Sequence, residues 1–409
     1  MRLLFLVDAR SPIAASWIRY FVAHGYDVHV ASSHLCPPQA IEGAKLYQLP
    51  IAFGGVSRSH KGSNAAGSGG GFVGALRRLD RVTKGRLRSW AAPIDLLPHV
   101  PRLRRLCNAV APDLVHAMRI PYEGIMASLA VRHRPLLISC WGNDFTLFTA
   151  TAPDRLLVRH AMLRADALHC DCIKDVRLAR RWGFDSRKPS VVLPGAGGVD
   201  QSLFHPGKPH LNGYGLDLPA DARVIINPRG MRLYVRNDSF FRSIPMVIRE
   251  EPAAFFICPG MQGEPYAEKT VRELGIHSRV KLLPQMSREN LAELFRLAQI
   301  SISPSTHDGT PNTLLEAMAS GCLPVAGDVE SVREWIEPGS NGLLCDPNSA
   351  ESIASALIKA LHDANLRRYA TDCNVKMISE RAGYDKVMRH AATFYRNLIE
   401  QNRVHSERQ

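Results

Sequence analysis

A chain of 409 residues, 45% hydrophobic and 22% charged, is too long for one ordinary core, and an allowance of roughly 100 to 200 residues per domain points to two large domains. No apolar run approaches the ~20 residues a bilayer span needs, which excludes an integral helical membrane protein. The net charge of +13 calls for an anionic partner or a locally basic surface.

The opening "MRLLFLVDARSP" has too short an apolar core for a secretory leader and reads as a first strand. It is followed by "PIAASWIRYFVAHG", an amphipathic helix stopped by Gly25. "DVHVAS", "KLYQL", "DLVHA", "LLISC" and "ALHC" continue as strands among helical patterns, the rhythm of βαβ units and a parallel sheet. Residues 54–74, "GGVSRSHKGSNAAGSGGGFVG", have too little apolar surface to offset ordering entropy and are expected to be mobile. Gly69, Gly71 and Gly74 match G-x-G-x-x-G there, but no strand precedes them, so the dinucleotide-binding context fails.

Between Arg77 and Arg105 nine Lys or Arg face two Asp, so over half of the net charge is local. Such a stretch suits nucleic acid, an anionic membrane surface or an acidic substrate, or is a solvated helix face. Trp90 is its only aromatic residue, which argues against the stacking platform of a nucleic-acid binder. Nine cysteines without a Cys-x-x-Cys pair, the tightest spacing being "CDC" at Cys170 and Cys172, imply reduced thiols and a cytoplasmic compartment.

The Pro- and Gly-rich residues 204–222 mark a linker, after which the α/β rhythm restarts with "RVIIN", "AAFFICPG", "RVKLLP", "QISISPS", "CLPVAG" and "GLLCD". Helix "SRENLAELFRLA" has Ser287 as its N-cap, and the last fifty or so residues are helical. The expected fold is α/β, two doubly wound Rossmann-like domains: residues 1–205, a linker at 206–222, residues 223–380, and a final helix at 381–409.

"HDGTPNTLLEAMASGCLP", residues 307 to 324, sets Asp308 and Glu316 around a helix start. Thr310 is expected to cap it and Pro311 to take the first helical position, with Gly321 as the left-handed terminator. The amides of Asn312, Thr313 and Leu314 would then face the C-terminal edge of "ISISPS", where a phosphate fits. One acid could grip sugar hydroxyls and the other a ribose across a diphosphate. Arg229 and Arg236, after the strand "RVIIN", would supply the cations, since a guanidinium fork matches phosphate oxygens.

With these residues the chain resembles the retaining, nucleotide-sugar-dependent glycosyltransferases of family 4, which have the GT-B fold. The carrying segments are "DGTPNTLLEAMASGCLPV", similar to that family's E-x7-E segment, "PGAGGVDQSLFHP", "PRG" and "NGLLCDP". The resemblance implies two domains facing across a cleft, the donor on the second, the acceptor on the first, and a final helix crossing back to the first domain. By it Asp308 holds donor-sugar hydroxyls, Gly309, Thr310, Pro311, Asn312 and Thr313 the diphosphate, Glu316 the ribose, and Arg229 and Arg236 the leaving phosphates. The base falls near Leu283 in "KLLPQM", and the first domain contributes the loop Arg10 to Ile13, including Ser11, with His116, and Trp141, Gly142, Asn143 and Asp144 of "WGND" on the acceptor side.

This chain departs from the family in having Asp308 for Glu, Arg236 for Lys, Pro311 in the phosphate nest, Trp141 for His and no double glycine in the first loop. No D-x-D occurs, so arginines and a helix dipole are expected in place of a metal, with no cofactor beyond the nucleotide-sugar substrate. Retention at the anomeric centre is implied by resemblance. The expected partners are a nucleotide-sugar donor, a glycan, lipid-linked or small-molecule hydroxyl acceptor, and an anionic membrane surface met through residues 77–105, with no nucleic acid. That places the chain in the cytoplasm or on the inner membrane face. A catalytically inactive nucleotide-sugar-binding or scaffold protein is the alternative on the same fold.

Overall fold

The computed structural model describes residues 1–50, 96–142, 144–146, 149, 151–210, 216, 218–219 and 221–407. The loop expected at 54–74, residues 77–95 of the basic stretch and Asn143 lie outside them. The chain forms two units, one of Met1–Asp171, Asp175–Val192 and His390–Gln409, the other of Cys172–Lys174 and Leu193–Arg389.

Unit 1 is built on a sheet of β1 (Arg2–Val7), β2 (Asp27–Ser32), β3 (Lys45–Gln48), β4 (Leu114–Ala117), β5 (Leu136–Cys140), β6 (Ala167–Cys170) and β7 (Ser190–Val192). The order is β3-β2-β1-β4-β5-β6-β7 and every pairing is parallel. Central strands such as β1 and β5 are buried along nearly their whole length, as continuous apolar runs require when helices cover both faces. Its α-helices among the described residues include α1 (Pro12–Ala23), α2 (Val100–Val110), α3 (Ile125–Ala130), α4 (Ala152–Arg164) and α5 (Ile173–Arg181), with Ile173 and Lys174 of α5 counting with unit 2.

Unit 2 has β8 (Arg223–Ile226), β9 (Ala254–Pro259), β10 (Val280–Leu283), β11 (Ile300–Ser303), β12 (Leu323–Gly327) and β13 (Leu343–Cys345), in the parallel order β10-β9-β8-β11-β12-β13. Around them lie α6 (Asn237–Glu250), α7 (Pro265–Glu273), α8 (Arg288–Leu297), α9 (Asn312–Ala319), α10 (Ala350–His362), α11 (Ala364–Arg381) and the start of α12 (Tyr384–Glu407). The fold is thus two doubly wound parallel-sheet α/β units. Strand order reverses between β1 and β4 in the first and between β8 and β11 in the second, and the carboxyl ends flanking such a reversal are where open sheets bind ligands.

Two sequence boundaries move. Residues 193–205 join the second unit instead of the first because Phe204 is buried there with its ring 6.2 Å from Phe295, and Val199 bridges Gly383. Residues 381–389 also stay with unit 2, so the final helix changes allegiance at His390.

From there α12 completes the first core. Tyr395 is buried, its ring stacked 4.8 Å from Phe21, and its hydroxyl accepts from Trp17 Nε1 at 2.9 Å. An indole can only donate, so the Tyr395 proton is directed at His116 Nδ1. His116 Nε2 meets Ser139 Oγ at 2.7 Å, and Ser139 Oγ meets His169 Nδ1 at 2.8 Å. The sequence reading of His116 as a catalytic group is therefore corrected. One ring nitrogen is engaged by Tyr395 of α12 and the other by Ser139 of β5, and burial, aided by His169, holds its pKa well below the usual imidazole value.

Candidate active site

At the end of β8 the chain turns through Asn227, Pro228, Arg229 and Gly230. Asn227 is fully buried, accepts from the Arg229 amide at 3.2 Å and donates to Asn237 Oδ1 at 3.2 Å. Asn237 in turn donates to the Gly230 carbonyl at 2.9 Å, and Gly230 takes φ 62°, a value suited to glycine. This network aims Arg229 along the sheet edge. Its side chain is 4% exposed, with Nη2 2.6 Å from Asp308 Oδ2 and Nη1 donating to Thr313 Oγ1 at 3.1 Å.

Asp308 follows β11 on a segment braced from three sides. Its carbonyl accepts from Lys174 Nζ at 2.7 Å and from Ser331 Oγ at 2.6 Å, while Thr306 donates its amide to Tyr234 at 2.9 Å. β12 ends against this segment: a Cβ on Gly327 would lie 2.2 Å from the Ser305 carbonyl oxygen, so only glycine fits.

The helix start differs from the sequence expectation by one residue. Pro311, at φ −70° and ψ 118°, is itself the N-cap of α9 and Asn312 the first helical residue. Thr310 Oγ1 instead accepts from Trp335 Nε1 at 3.2 Å. The Leu314 amide is spent on the Pro311 carbonyl at 3.0 Å, leaving those of Asn312 and Thr313 with no acceptor among the described residues. Gly309, Thr310 and Pro311 are buried, and Asn312 and Thr313 are half-buried. At the other end Gly321 adopts φ 89°, the left-handed stop.

Glu316 lies one turn beyond Asn312 and is buried. Its Oε1 accepts from Arg288 Nη2 at 3.0 Å, a residue the sequence reading missed. Arg288 opens α8 directly after its Ser287 cap, and its guanidinium lies 5.2 Å from the Phe204 ring centroid. Burial raises the Glu316 carboxyl to about 7, with Arg288 pulling it back. Both acids thus form buried or half-buried ion pairs, Asp308 with Arg229 and Glu316 with Arg288, beside the two open amides.

Two expected donor-side residues stand otherwise. Arg236 forks Asp238 at 2.9 and 2.7 Å and also bonds Asn348, because its place at the N-cap of α6 sets it beside the acid of that helix's first turn. The Leu283 carbonyl is already shared by the amides of Met261 and Gln262, at 3.1 and 3.0 Å.

In unit 1, Ser11 caps α1 by accepting from the Ala14 amide at 3.5 Å, and Ile13 is half-buried in its first turn. Asp144 is fully buried and binds β4 to β5: it accepts from Arg119 Nε at 3.0 Å and from the amides of Ile120 and Trp141 at 3.2 Å each. Trp141 is half-buried, and the Gly142 amide donates to Asp171 Oδ1 at 3.4 Å.

Known proteins share both units. The model described as "Glycosyl transferase 4-like domain" matches residues 11–195, and "Glycosyl transferases group 1" matches residues 220–376. The chain belongs to the family 4-type glycosyltransferases of the GT-B fold. Among relatives of this chain, a D-inositol 3-phosphate glycosyltransferase of Thermobispora bispora is 27% identical over 59% of this chain and 58% of its own length. An uncharacterized glycosyltransferase of Methanocaldococcus jannaschii is 25% identical over 39% of this chain and 41% of its own. The chain thus spans about half the length of the curated relatives it matches. Among solved structures, the sucrose-phosphate synthase of Thermosynechococcus elongatus has a TM-score of 0.72 at 15% identity, covering 98% of this chain and 100% of that chain. HepE of Anabaena in complex with UDP has a TM-score of 0.70 at 14% identity, covering 97% and 100%.

Proposed function

We propose that this chain transfers a sugar, with retention and without a metal, from a nucleoside diphosphate sugar to a hydroxyl acceptor. The observation that carries the reading is Arg229, buried between Asp308 and Thr313 beside the open amides of Asn312 and Thr313. A guanidinium in that setting has been desolvated, and a diphosphate oxygen is the ligand that uses both it and the helix start. That HepE is seen with UDP and with UDP-glucose makes uridine nucleotides the first to try.

In the proposed reaction the bond from the anomeric carbon to the diphosphate breaks while the acceptor oxygen bonds to that carbon and its hydroxyl proton passes to the departing phosphate oxygen. Charge builds on the departing phosphate oxygens, where Arg229 and the two amides are already oriented, so their stabilisation grows in the transition state. Asp308, held by Arg229, turns toward donor-sugar hydroxyls as the diphosphate takes up the guanidinium. Glu316, held by Arg288, meets the ribose. Arg236 joins the phosphate only by leaving Asp238, and so is secondary to Arg229.

Peripheral attachment at the cytoplasmic membrane face, toward a glycan or lipid-linked acceptor, is part of this reading. Its support is Arg102, Arg104 and Arg105, exposed on α2, and the basic sequence before them. No helix among the described residues is long and apolar enough to cross a membrane. Absence of binding to anionic liposomes at low salt would remove this part alone. The central test is turnover of UDP-, ADP- and GDP-sugars by wild type, Arg229→Ala and Glu316→Ala, with and without EDTA. Wild-type rates in both variants would overturn the reading, and UDP binding without any turnover would favour the inactive binding protein.

A further inference from the structure

At the switch point of unit 1, residues from several strand ends converge. Asp8 follows β1, Ser33 follows β2 and Arg119 follows β4. Glu123 reaches this edge from the turn after β4 and is only 4% exposed. Ser33 Oγ donates to its Oε1 at 2.5 Å and its own backbone amide also bears on the carboxyl, while no other described residue donates a hydrogen bond to it. The backbone that delivers it is strained: Tyr122, just before it, adopts φ 65° and ψ −67°, a conformation that costs a non-glycine residue on the order of 1–3 kcal/mol. Gly124, just after, closes the turn with its amide 2.8 Å from the Arg119 carbonyl, and a Cβ there would stand 2.8 Å from the same oxygen. Nothing in the donor site uses this arrangement.

The charges at this edge limit what can bind. Arg10 forks Asp8 at 2.9 Å through both Nε and Nη2, and Arg119 is tied to Asp144 at 3.0 Å. Each guanidinium thus has its carboxylate, and Glu123 is a third acid in excess of the two arginines. His34, with Nδ1 3.6 Å from Asp8, is the further basic group nearby. A phosphate would have to displace an existing pair here, whereas a hydroxyl needs only an acceptor atom.

We propose that Glu123 contacts the acceptor substrate and sets its class: the second carboxyl oxygen accepts a hydrogen bond from a hydroxyl of a neutral polyol, and phosphorylated polyols are disfavoured. This rests on the glycosyltransferase reading but is tested apart from it. Saturation-transfer NMR on the full chain, without donor, would use myo-inositol and methyl glucoside against D-inositol 3-phosphate and glucose 6-phosphate. The neutral probes should bind more tightly than their phosphorylated counterparts. Glu123→Ala should weaken neutral binding about tenfold, the loss of one hydrogen bond to a buried carboxyl, and Glu123→Gln, which keeps an acceptor oxygen, by less. UDP affinity, measured by calorimetry, should be unchanged in both variants, and urea unfolding that follows unit 1 should match wild type, which shows that they fold. Tighter binding of the phosphorylated probes, neutral binding indifferent to Glu123→Ala, or no neutral binding at all would each overturn the proposal. Failure of UDP to bind wild type would instead count against the donor reading.

Discussion

The carboxyl edges of the two sheets handle charge in opposite ways. In unit 2, Arg229 and Arg288 pair with Asp308 and Glu316 beside the open amides of α9, an arrangement whose spare donors welcome an anion. In unit 1, Arg10 and Arg119 are matched to Asp8 and Asp144, and the surplus group is the acid Glu123. The difference teaches that one topology, a parallel sheet with a reversal point, does not dictate ligand charge. The residues just past the strand ends do.

Removing Arg229 should break the contrast most strongly. Arg229→Ala takes away the buried cation of the donor edge and should lower turnover by roughly 10²–10³, measured as kcat on the best nucleotide sugar. Gly327→Ala attacks the same edge through the backbone, forcing a Cβ against Ser305. It should cost about 3 kcal/mol or more of stability, read from urea unfolding, and should weaken UDP binding as the Asp308 segment shifts. Tyr395→Phe acts on unit 1 alone. Trp17 Nε1 and His116 Nδ1 lose their shared partner, an expected cost of about 1–3 kcal/mol in unfolding with UDP affinity unchanged.

Acidity sharpens the comparison further. Burial lifts both Glu316 and Glu123 from the ordinary 4.5 to about 7. Between those values the folded chain keeps protons that the unfolded chain has released, so stability falls as pH rises through that window, by at most about 1.4 kcal/mol per pH unit for each group. Glu316→Gln should flatten that slope by its share in unfolding measured from pH 4.5 to 7. The smallest effect is expected at Arg236, whose half-exposed fork with Asp238 lies apart from Asp308 and Thr313 in its bonding. Arg236→Ala should change donor affinity by less than about 1 kcal/mol.

The contrast also separates what could be read along the chain from what could not. Strands such as β1 and β12 announce themselves because covered parallel strands are nearly unbroken apolar runs. β7 was missed because "SVV" is too short to show any period. The donor edge was legible because Asp308, Gly309 and the start of α9 are consecutive, so local rules of capping and turning apply. Even there the cap was misplaced by one residue, since Pro311 keeps an extended backbone. Partners supplied from afar left no local signal: Arg288 meets Glu316 across 28 residues and Ser33 meets Glu123 across 90. The charge pattern at Ser287, Arg288 and Glu289 marked a helix start, but nothing in it named the acid that the arginine would reach. His116 misled for a related reason, because its strand position was visible whereas Tyr395, its partner 279 residues on, was not.

Tyr395 also bears on how the chain is made. The core around Trp17, Phe21 and His116 is closed by a side chain that leaves the ribosome almost four hundred residues after the first strand. During synthesis the leading unit must wait, with an aromatic face unsealed, while the trailing one acquires all of its strands. Domains usually mature in the order they are translated; here the earlier one is finished last, and a ribosome stalled before residue 390 would release a chain whose second half is sound and whose first half is the liability for aggregation.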